Sequence, residues 1–585
     1  MRPLRGCPGR LAASLILGIF AGCGTVGPAT PGPEGAGPVT TTPPQHTLVV
    51  SVNKEPASLA AFSPAASGLS TAFPVRPFNA FLELVDDRAA AHPYLAESLP
   101  KLGTDSWVVY PDGRMQTTYR LKPNVVWHDG APFSAADLVF AYRLYTTPEL
   151  GFAAASTVPI SAMEDVEAPD DSTLVIRWKR SYPGAGVLQV GGSTNLGLPP
   201  VPRHLLGDLY ADSQWTTLAN HAYWTVGFVG LGPFRLDRWE QGSFIEGVAF
   251  DGHVLGRPRI DRIHIVFIAD ANAAVANVRA GTVDLATEGS LTFEQALELK
   301  REWASSHAGT FLWTAASIRH FVFQFRPELV SPSALLDLRV RKALIHSLDR
   351  SALNDALWGG EGILLDSIFS PRVEYYPAID GAVTKYPYSL SAADGFMTEA
   401  GFRKGPDGVY TDASGARLVL EVRSTGGGTS DTERSVAASG WRQAGFDAQE
   451  GTLAAALALD AQERASFPAI STAAQSATDT TMSAAFTTPQ IARPENRWNG
   501  INRGAWSDPE YDRLVESFNT TLDPTERIQQ RASMARVLSD ELPAIMLYYN
   551  LNPAPFLARL TGPVPTTPDS TGYVGWNIHE WEIRD

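Results

Sequence analysis

The sequence predicts an α/β protein built from two or three lobes. Once the first 45 residues are set aside, about 540 residues remain, which is more than one hydrophobic core usually serves. Hydrophobic residues make up 44% of the chain, which is typical of a globular body. Strand and helix signals alternate along that body, and this alternation favours open sheets covered by helices.

The clearest alternation lies between residues 263 and 286. Residues 263–267 alternate in β-type side chains, Asp270 is placed to cap an Ala-rich helix ending near Gly281, and residues 282–286 return to strand. A β-rich run at 47–52 should open the first sheet. In open α/β sheets ligands gather at the carboxyl ends of the strands, so this unit also predicts where a site would lie.

The chain begins with the pattern of an export signal. Three arginines accompany an apolar run at 11–20 that is too short to span a bilayer, and two small residues precede Cys23. The pattern resembles the lipobox of bacterial lipoproteins, with Phe20 where Leu is usual. It implies a signal peptide at 1–22 and a lipid on Cys23. The alternative is an ordinary secretory signal with a chance cysteine.

Residues 23–45 contain mostly Gly, Pro, Thr, Ala and Val, with Glu34 as the one charge, and cannot bury a core. We therefore expect a tether there and a folded body from residue 46. No later run offers ~18 apolar residues, so no transmembrane helix is expected after the signal.

Charge and cysteine content exclude several classes of protein. The formal net charge of -15 argues against nucleic acid or an anionic lipid surface as partner. The two cysteines, Cys7 and Cys23, both lie before the body, which excludes disulfides, zinc-thiolate sites and cysteine nucleophiles there.

The sequence offers no positive case for an enzyme, a cofactor or a metal. The eleven histidines include no i, i+4 pair, and no G-x-S-x-G elbow, P-loop or G-x-G-x-x-G is present in the body from residue 46.

Residues 94–98 and 117–140 form the most specific stretch of the chain. Residues 117–121 predict a strand, 128–130 a turn that requires glycine, and Ser134 the cap of a helix with Asp137 in its first turn. This stretch resembles the hallmark segment of family 5 extracellular solute-binding proteins, the dipeptide and oligopeptide receptors of ABC importers. The resemblance continues in order through 166–176, 201–205, 230–236, 336–350, 506–512 and 542–548.

The resemblance implies a two-lobed periplasmic-binding-protein fold with mixed sheets flanked by helices and an inserted subdomain. The implied borders are lobe I at 46–85, 215–315 and 546–585, the inserted subdomain at 86–214, and lobe II at 316–545. A ligand would lie between the lobes, which would close over it by hinge motion.

The function implied is that of an extracytoplasmic lipoprotein, anchored at the outer face of a membrane or in the periplasm. It would be a monomer that captures a small peptide or similar polar solute and delivers it to an ABC permease, without catalysis, cofactor or nucleic acid. A binding-protein-like lipoprotein with a regulatory or scaffolding role in envelope assembly is the alternative, and a hydrolase of envelope substrates comes third.

The resemblance also implies ligand-binding residues. Peptide-binding relatives carry an acidic motif resembling "DYPDP", whose aspartate pairs the peptide amino terminus. The corresponding residues 467–479 hold one acid, Asp479, which could instead cap a helix from Thr480. Gln324 and Phe325 stand where the family has its "FN".

Trp498, Asn499 and Asn502 offer an aromatic wall and two-sided amides suited to a polar ligand. In the alternative, the tryptophan lies in a core and the asparagines lie in turns. Arg493, Arg497 and Arg503 could pair an anionic ligand or form a solvated cluster.

Overall fold

The structure is a computed structural model, and it describes residues 46–64, 72–156, 158–189, 197–454, 456–565 and 574–584. The signal peptide, Cys23 and the tether lie outside the described residues. Residues 46–585 form one compact unit.

The strands are β1 (Thr47–Val52), β2 (Glu83–Val85), β3 (Ala91–Pro93), β4 (Ala96–Ser98), β5 (Trp107–Val109), β6 (Met115–Leu121), β7 (Met163–Asp170), β8 (Thr173–Trp178), β9 (Phe234–Glu240), β10 (Phe244–Ala249), β11 (Arg262–Phe267), β12 (Leu285–Ala286), β13 (Gly309–Phe323), β14 (Arg403–Lys404), β15 (Tyr410–Thr411), β16 (Val419–Ser424), β17 (Asp447–Thr452), β18 (Ile470–Ser476), β19 (Ala544–Leu557), β20 (Leu560–Thr561) and β21 (Glu582–Ile583).

The α-helices are α1 (Ala72–Val75), α2 (Ala135–Thr146), α3 (Arg203–Ala211), α4 (Trp215–Ala219), α5 (Ala271–Arg279), α6 (Phe293–Ser306), α7 (Leu338–His346), α8 (Arg350–Trp358), α9 (Tyr376–Asp380), α10 (Leu390–Glu399), α11 (Gly428–Ala444), α12 (Ala461–Ala465), α13 (Asp479–Ala484), α14 (Pro509–Phe518) and α15 (Pro524–Glu541). In the part of the chain that the structure describes, none of these helices is long and apolar enough to cross a membrane.

One large sheet runs through the body in the order β17-β16-β18-β13-β19-β12-β1-β11-β10-β9. We call the side formed by β12, β1, β11, β10 and β9 lobe I, and the side formed by β18, β16 and β17 lobe II. The two long antiparallel strands β13 and β19 lie at the centre and belong to both.

The hydrophobic core divides along these two strands. On β13, Leu312 packs into the core of lobe I, whereas Ile318 and Phe321 pack into the core of lobe II. On β19, Phe556 belongs to the first core and Tyr548 to the second. The register of β13 against β19 shifts between Ala315 and Ser317, where one core gives way to the other.

The β-α-β unit predicted from the sequence is confirmed. Strands β11 and β12 are both parallel to β1 and lie on either side of it, and α5 makes the crossover. The Asp270 carboxylate accepts a hydrogen bond from the Ala273 N–H at 2.8 Å and caps α5.

A separate five-stranded sheet, β4-β6-β8-β7 with β5 paired to β6, carries the hallmark stretch. Gly130 has a φ of 87°, which explains why the turn before α2 requires glycine. Ser134 is the N-cap of α2, as predicted, and its N–H donates to the Asp137 carboxylate at 2.9 Å. The domain borders drawn from the resemblance stay predictions.

A buried charged network ties β13 and β19 to α11 in lobe II. The Arg319 guanidinium forms a forked pair with the Glu433 carboxylate, which also accepts from the Tyr548 hydroxyl at 2.6 Å. Glu433 is 1% exposed and Arg319 is 8% exposed. Burial alone would lower the pKa of Arg319, but Glu433 raises it above its ordinary value, so the guanidinium stays charged.

Arg319→Met should strongly destabilise lobe II, because it leaves the buried Glu433 carboxylate without its counter-charge. We expect a loss of about 3–5 kcal/mol, seen as a lower urea midpoint of tryptophan fluorescence. The control is Arg339→Met, which breaks an exposed pair with Asp337 and should cost less than about 1 kcal/mol. Equal midpoints for the two variants would contradict this reading.

A second buried carboxylate, Glu83 on β2, has no such counter-charge at bonding distance. Its Oε1 accepts the Gln189 N–H at 2.6 Å, while Oε2 is buried without a partner among the described residues. Burial raises the pKa of Glu83 from its ordinary 4.5 to about 7, against the opposing effects of that hydrogen bond and of Arg76.

Because the folded state holds the Glu83 proton more tightly than the unfolded state, this contribution to stability is complete below about pH 4.5 and is lost as the pH rises through about 7. Glu83→Gln should therefore stabilise the protein by roughly 3 kcal/mol above pH 7 and change little near pH 4.5. Melting temperatures across that range test this, with the exposed Glu167→Gln as control. A pH-independent difference would argue against it.

Candidate functional site

The carboxyl ends of strands from both lobes point toward each other at the centre of the large sheet. β12 and β13 are both antiparallel to β19, so β12 runs in the same direction as β13, toward lobe II. β1 is parallel to β12 and runs the same way. β18 is antiparallel to β13 and parallel to β16, so these two run toward lobe I. Ligand sites in open α/β sheets form at such carboxyl ends.

The register on β13 places these ends close together. Ser476, the last residue of β18, lies opposite Ser317, and the Thr314 hydroxyl lies 3.5 Å from Glu288, just after β12. Thr314 and Ser317 are about 10 Å apart along an extended strand. We call the segments after β1, β12 and β18 (residues 53–55, 287–290 and 477–479) the carboxyl-end site.

On the lobe I side, the site carries two carboxylates and an amide. The Asn53 amide donates to the Gly289 carbonyl at 3.0 Å and joins the ends of β1 and β12. Glu55 accepts the Trp239 indole N–H at 2.8 Å on one oxygen and the Gly242 N–H at 2.9 Å on the other. Glu288 is half-buried and accepts the Val574 N–H at 3.0 Å.

On the lobe II side, Asp479 is buried and engaged within the protein. One of its carboxylate oxygens lies 2.5 Å from Arg531 Nε and accepts the Tyr375 hydroxyl at 3.0 Å. The prediction that Asp479 caps a helix is wrong, because Thr478 is the N-cap of α13 and accepts the Thr481 N–H, while Asp479 is the first helical residue. A role for Asp479 in binding a ligand stays a prediction.

The hairpin between α14 and α15 connects lobe II with the part of the chain around the five-stranded sheet. Leu522, in this hairpin, packs against the core that contains that sheet. The Tyr182 side chain acts electrostatically on Arg527, the fourth residue of α15, whose pKa burial and the neighbouring Arg531 lower to about 10. Next to Asp479, this hairpin therefore connects lobe II to the core that contains the five-stranded sheet.

Gln324 and Asn502, both predicted to bind ligand, are buried and hydrogen-bonded internally. The Gln324 amide donates to the Phe467 carbonyl at 2.7 Å, and the Asn502 amide donates to the carbonyls of Thr487 and Trp506 at 3.0 and 2.8 Å. These bonds support the alternative in which Asn502 stabilises a turn. Gln324 also lies seven residues beyond Ser317, about 23 Å along β13, at the edge where β18 begins.

The structure brings the other predicted residues to that same edge. Phe325 N–H donates to the Gly504 carbonyl at 2.8 Å, and the Arg341 guanidinium lies over the Phe325 ring. Arg326 lies 5.7 Å from the centre of the half-buried Trp498 ring, while Asn499 is exposed. Of the predicted ligand-binding residues, Asp479 alone belongs to the carboxyl-end site.

Cavities of the described residues also lie elsewhere. A groove of about 980 Å³ between α2, β7 and α3 is lined by Phe140, Arg143 and Tyr210, and none of the predicted ligand residues lines it. A small cavity of about 20 Å³ on lobe II is lined by His320, Phe486 and Arg503, and burial lowers the pKa of His320 to about 4. Among the residues that the structure describes, no group of three or more His, Cys, Asp or Glu side chains could hold a metal ion.

Comparison with known proteins identifies the family. The model of bacterial extracellular solute-binding proteins, family 5, matches residues 92–491. The oligopeptide-binding protein AppA of Bacillus subtilis is 25% identical over 352 residues, covering 59% of this chain and 58% of that relative. The chain spans about half the length of the curated relatives that it matches.

Solved structures of binding proteins match the fold of this chain over nearly its whole length. MppA, a periplasmic murein tripeptide binding protein in its unliganded open form, matches with a TM-score of 0.71 at 16% identity, over 92% of this chain and 98% of MppA. NikZ from Campylobacter jejuni, in complex with Ni(L-His), matches with a TM-score of 0.63 at 21% identity, over 92% of this chain and all of NikZ.

This chain belongs to family 5 of the bacterial extracellular solute-binding proteins and has their two-lobed α/β fold. The fold class and the family expected from the resemblance are confirmed.

Asp479→Asn should lower the melting temperature because it breaks the ion pair with Arg531, a loss of about 1.5–3 kcal/mol. Solute affinity should change less than about threefold, since the carboxylate is already neutralised within lobe II. Asp366→Asn, which breaks the pair with Arg350 elsewhere in lobe II, is the matched control. A loss of affinity of about tenfold in Asp479→Asn alone would instead show that Asp479 binds solute.

Proposed function

We propose that this protein captures a small peptide or similar polar solute at the carboxyl-end site and delivers it to the permease of an ABC importer. The observation that carries the proposal is the convergence of strand ends from both lobes beside β13 and β19, in a chain that belongs to this family. Lobes joined by two continuous strands can change their relative angle without losing either core.

The relatives support a polar solute but differ in what they bind. AppA is named for oligopeptides, MppA for a murein tripeptide, and NikZ was solved with a nickel–histidine complex. The side chains at the carboxyl-end site are polar and of both signs, with Glu288 on one lobe and the Asp479–Arg531 pair on the other. Such groups suit a solute with hydrogen-bonding ends.

We further propose that the protein acts as a monomer on the outer face of a membrane or in the periplasm, held by a lipid on Cys23. The support is the sequence pattern before Cys23 and the spacer at 23–45. The protein would need no catalytic group or cofactor, because capture and release require only binding.

Native mass spectrometry of the chain from His46, purified without denaturation, tests the capture role. We expect a bound polar molecule of defined mass, released on activation and identifiable as a peptide or related solute. In parallel, small-angle scattering should show a smaller radius of gyration when a mixture of short peptides is added, because the lobes close. A chain that carries no solute and ignores the peptide mixture would contradict the proposal.

A further inference from the structure

Glu288 accepts its hydrogen bonds from neighbouring side chains and backbone on one of its two carboxylate oxygens. Its Oε1 accepts both the Val574 N–H at 3.0 Å and the Thr314 hydroxyl at 3.5 Å. Neither of these bonds reaches Oε2. The residue is half-buried and keeps part of its surface exposed.

Among the residues that the structure describes, no cation pairs with the Glu288 carboxylate. Within the described residues, Glu288 forms no ion pair with a Lys, Arg or His side chain, and no basic group contributes to its pKa. Burial raises that pKa above its usual range, and the bond from Val574 opposes the rise. A carboxylate in such surroundings gains more from an arriving positive charge than an exposed one would.

The two other carboxylates of the site are engaged in other ways. Asp479 is paired with Arg531 at 2.5 Å and with Tyr375. Each oxygen of Glu55 accepts one hydrogen bond, from the Trp239 indole or the Gly242 N–H.

We propose that the Glu288 carboxylate binds the positively charged amino group of the solute through Oε2. This inference rests on the proposed function and specifies its substrate class: a solute with a free amine, oriented with that amine toward lobe I. Thr314 and Val574 hold the carboxylate from the opposite side, and the amine replaces the counter-charge that the protein does not supply.

The test uses the detergent-solubilised full chain and alanine peptides of three to five residues, each with a free amino terminus or N-acetylated. Affinities are measured by isothermal titration calorimetry for the wild type and for Glu288→Gln. Glutamine keeps the shape and an oxygen for Val574 and Thr314, so the fold should survive. Glu167→Gln on β7 is the matched control, because its carboxylate pairs with Arg177 on the five-stranded sheet and belongs to none of the segments of the carboxyl-end site.

We expect acetylation to weaken wild-type binding about tenfold to a hundredfold, and Glu288→Gln to weaken binding of the free-amine peptides by a similar factor. Acetylated peptides should bind equally to both proteins, which a merely structural role of Glu288 would not produce. Glu167→Gln should behave as the wild type. If Glu288→Gln does not fold, Glu288→Asp should still prefer the free amine, by a smaller factor.

The two proposals fail in different ways. Equal wild-type affinity for the two peptide forms, or wild-type discrimination in Glu288→Gln, would overturn the role of Glu288 and leave capture of peptides intact. Binding of neither form by the wild type would overturn peptide capture, and the amine inference with it.

Discussion

The pairing of β13 with β19 is the constraint on which the rest of the molecule depends. Two antiparallel strands of 15 and 14 residues carry side chains for both hydrophobic cores, and their register shifts where the cores meet. All other strands of the large sheet are added outward from this pair. Because β12 pairs with β19 and β18 pairs with β13, the central pair determines that the carboxyl ends of β12 and β18 face each other. The candidate site between the lobes lies at these ends.

Charge is buried beside this pair in two different ways. Arg319 and Glu433 neutralise each other and, with Tyr548, fix α11 onto the central strands. On the lobe II side, α11 is therefore held by buried hydrogen bonds as well as by hydrophobic packing. On the lobe I side, Glu288 contacts β13 through Thr314 and pairs with no cation among the described residues. Lobe II thus contains a carboxylate that a protein cation neutralises, at Arg319 of β13, whereas the lobe I carboxylate contacts β13 five residues earlier, at Thr314.

The sequence predicted the helix caps, turns and the β-α-β unit, which depend on neighbouring residues. The site residues depend on strand pairing between distant parts of the chain. The crossover over β1, the Asp270 cap and the Ser134–Asp137 turn follow from side chains within a few residues of one another. The same unit indicated where a ligand would gather, yet Glu288 was missed because its place depends on β19, more than 250 residues later. Gln324 was predicted to bind ligand because no residue near it in sequence indicates that its amide donates a hydrogen bond to the Phe467 carbonyl.

The late position of β19 in the chain has a consequence for folding. β13 can pair with β18 once residue 476 is present, but its other edge waits for residues 544–557, which follow β13 only after a long intervening stretch. Pairings this distant in sequence raise the contact order and slow the final step, because a long loop must close before the contacts form. Until then, β13 has one edge without hydrogen-bond partners and both cores lack the side chains of β19, so the chain is most exposed to misassembly before residues 544–557 arrive.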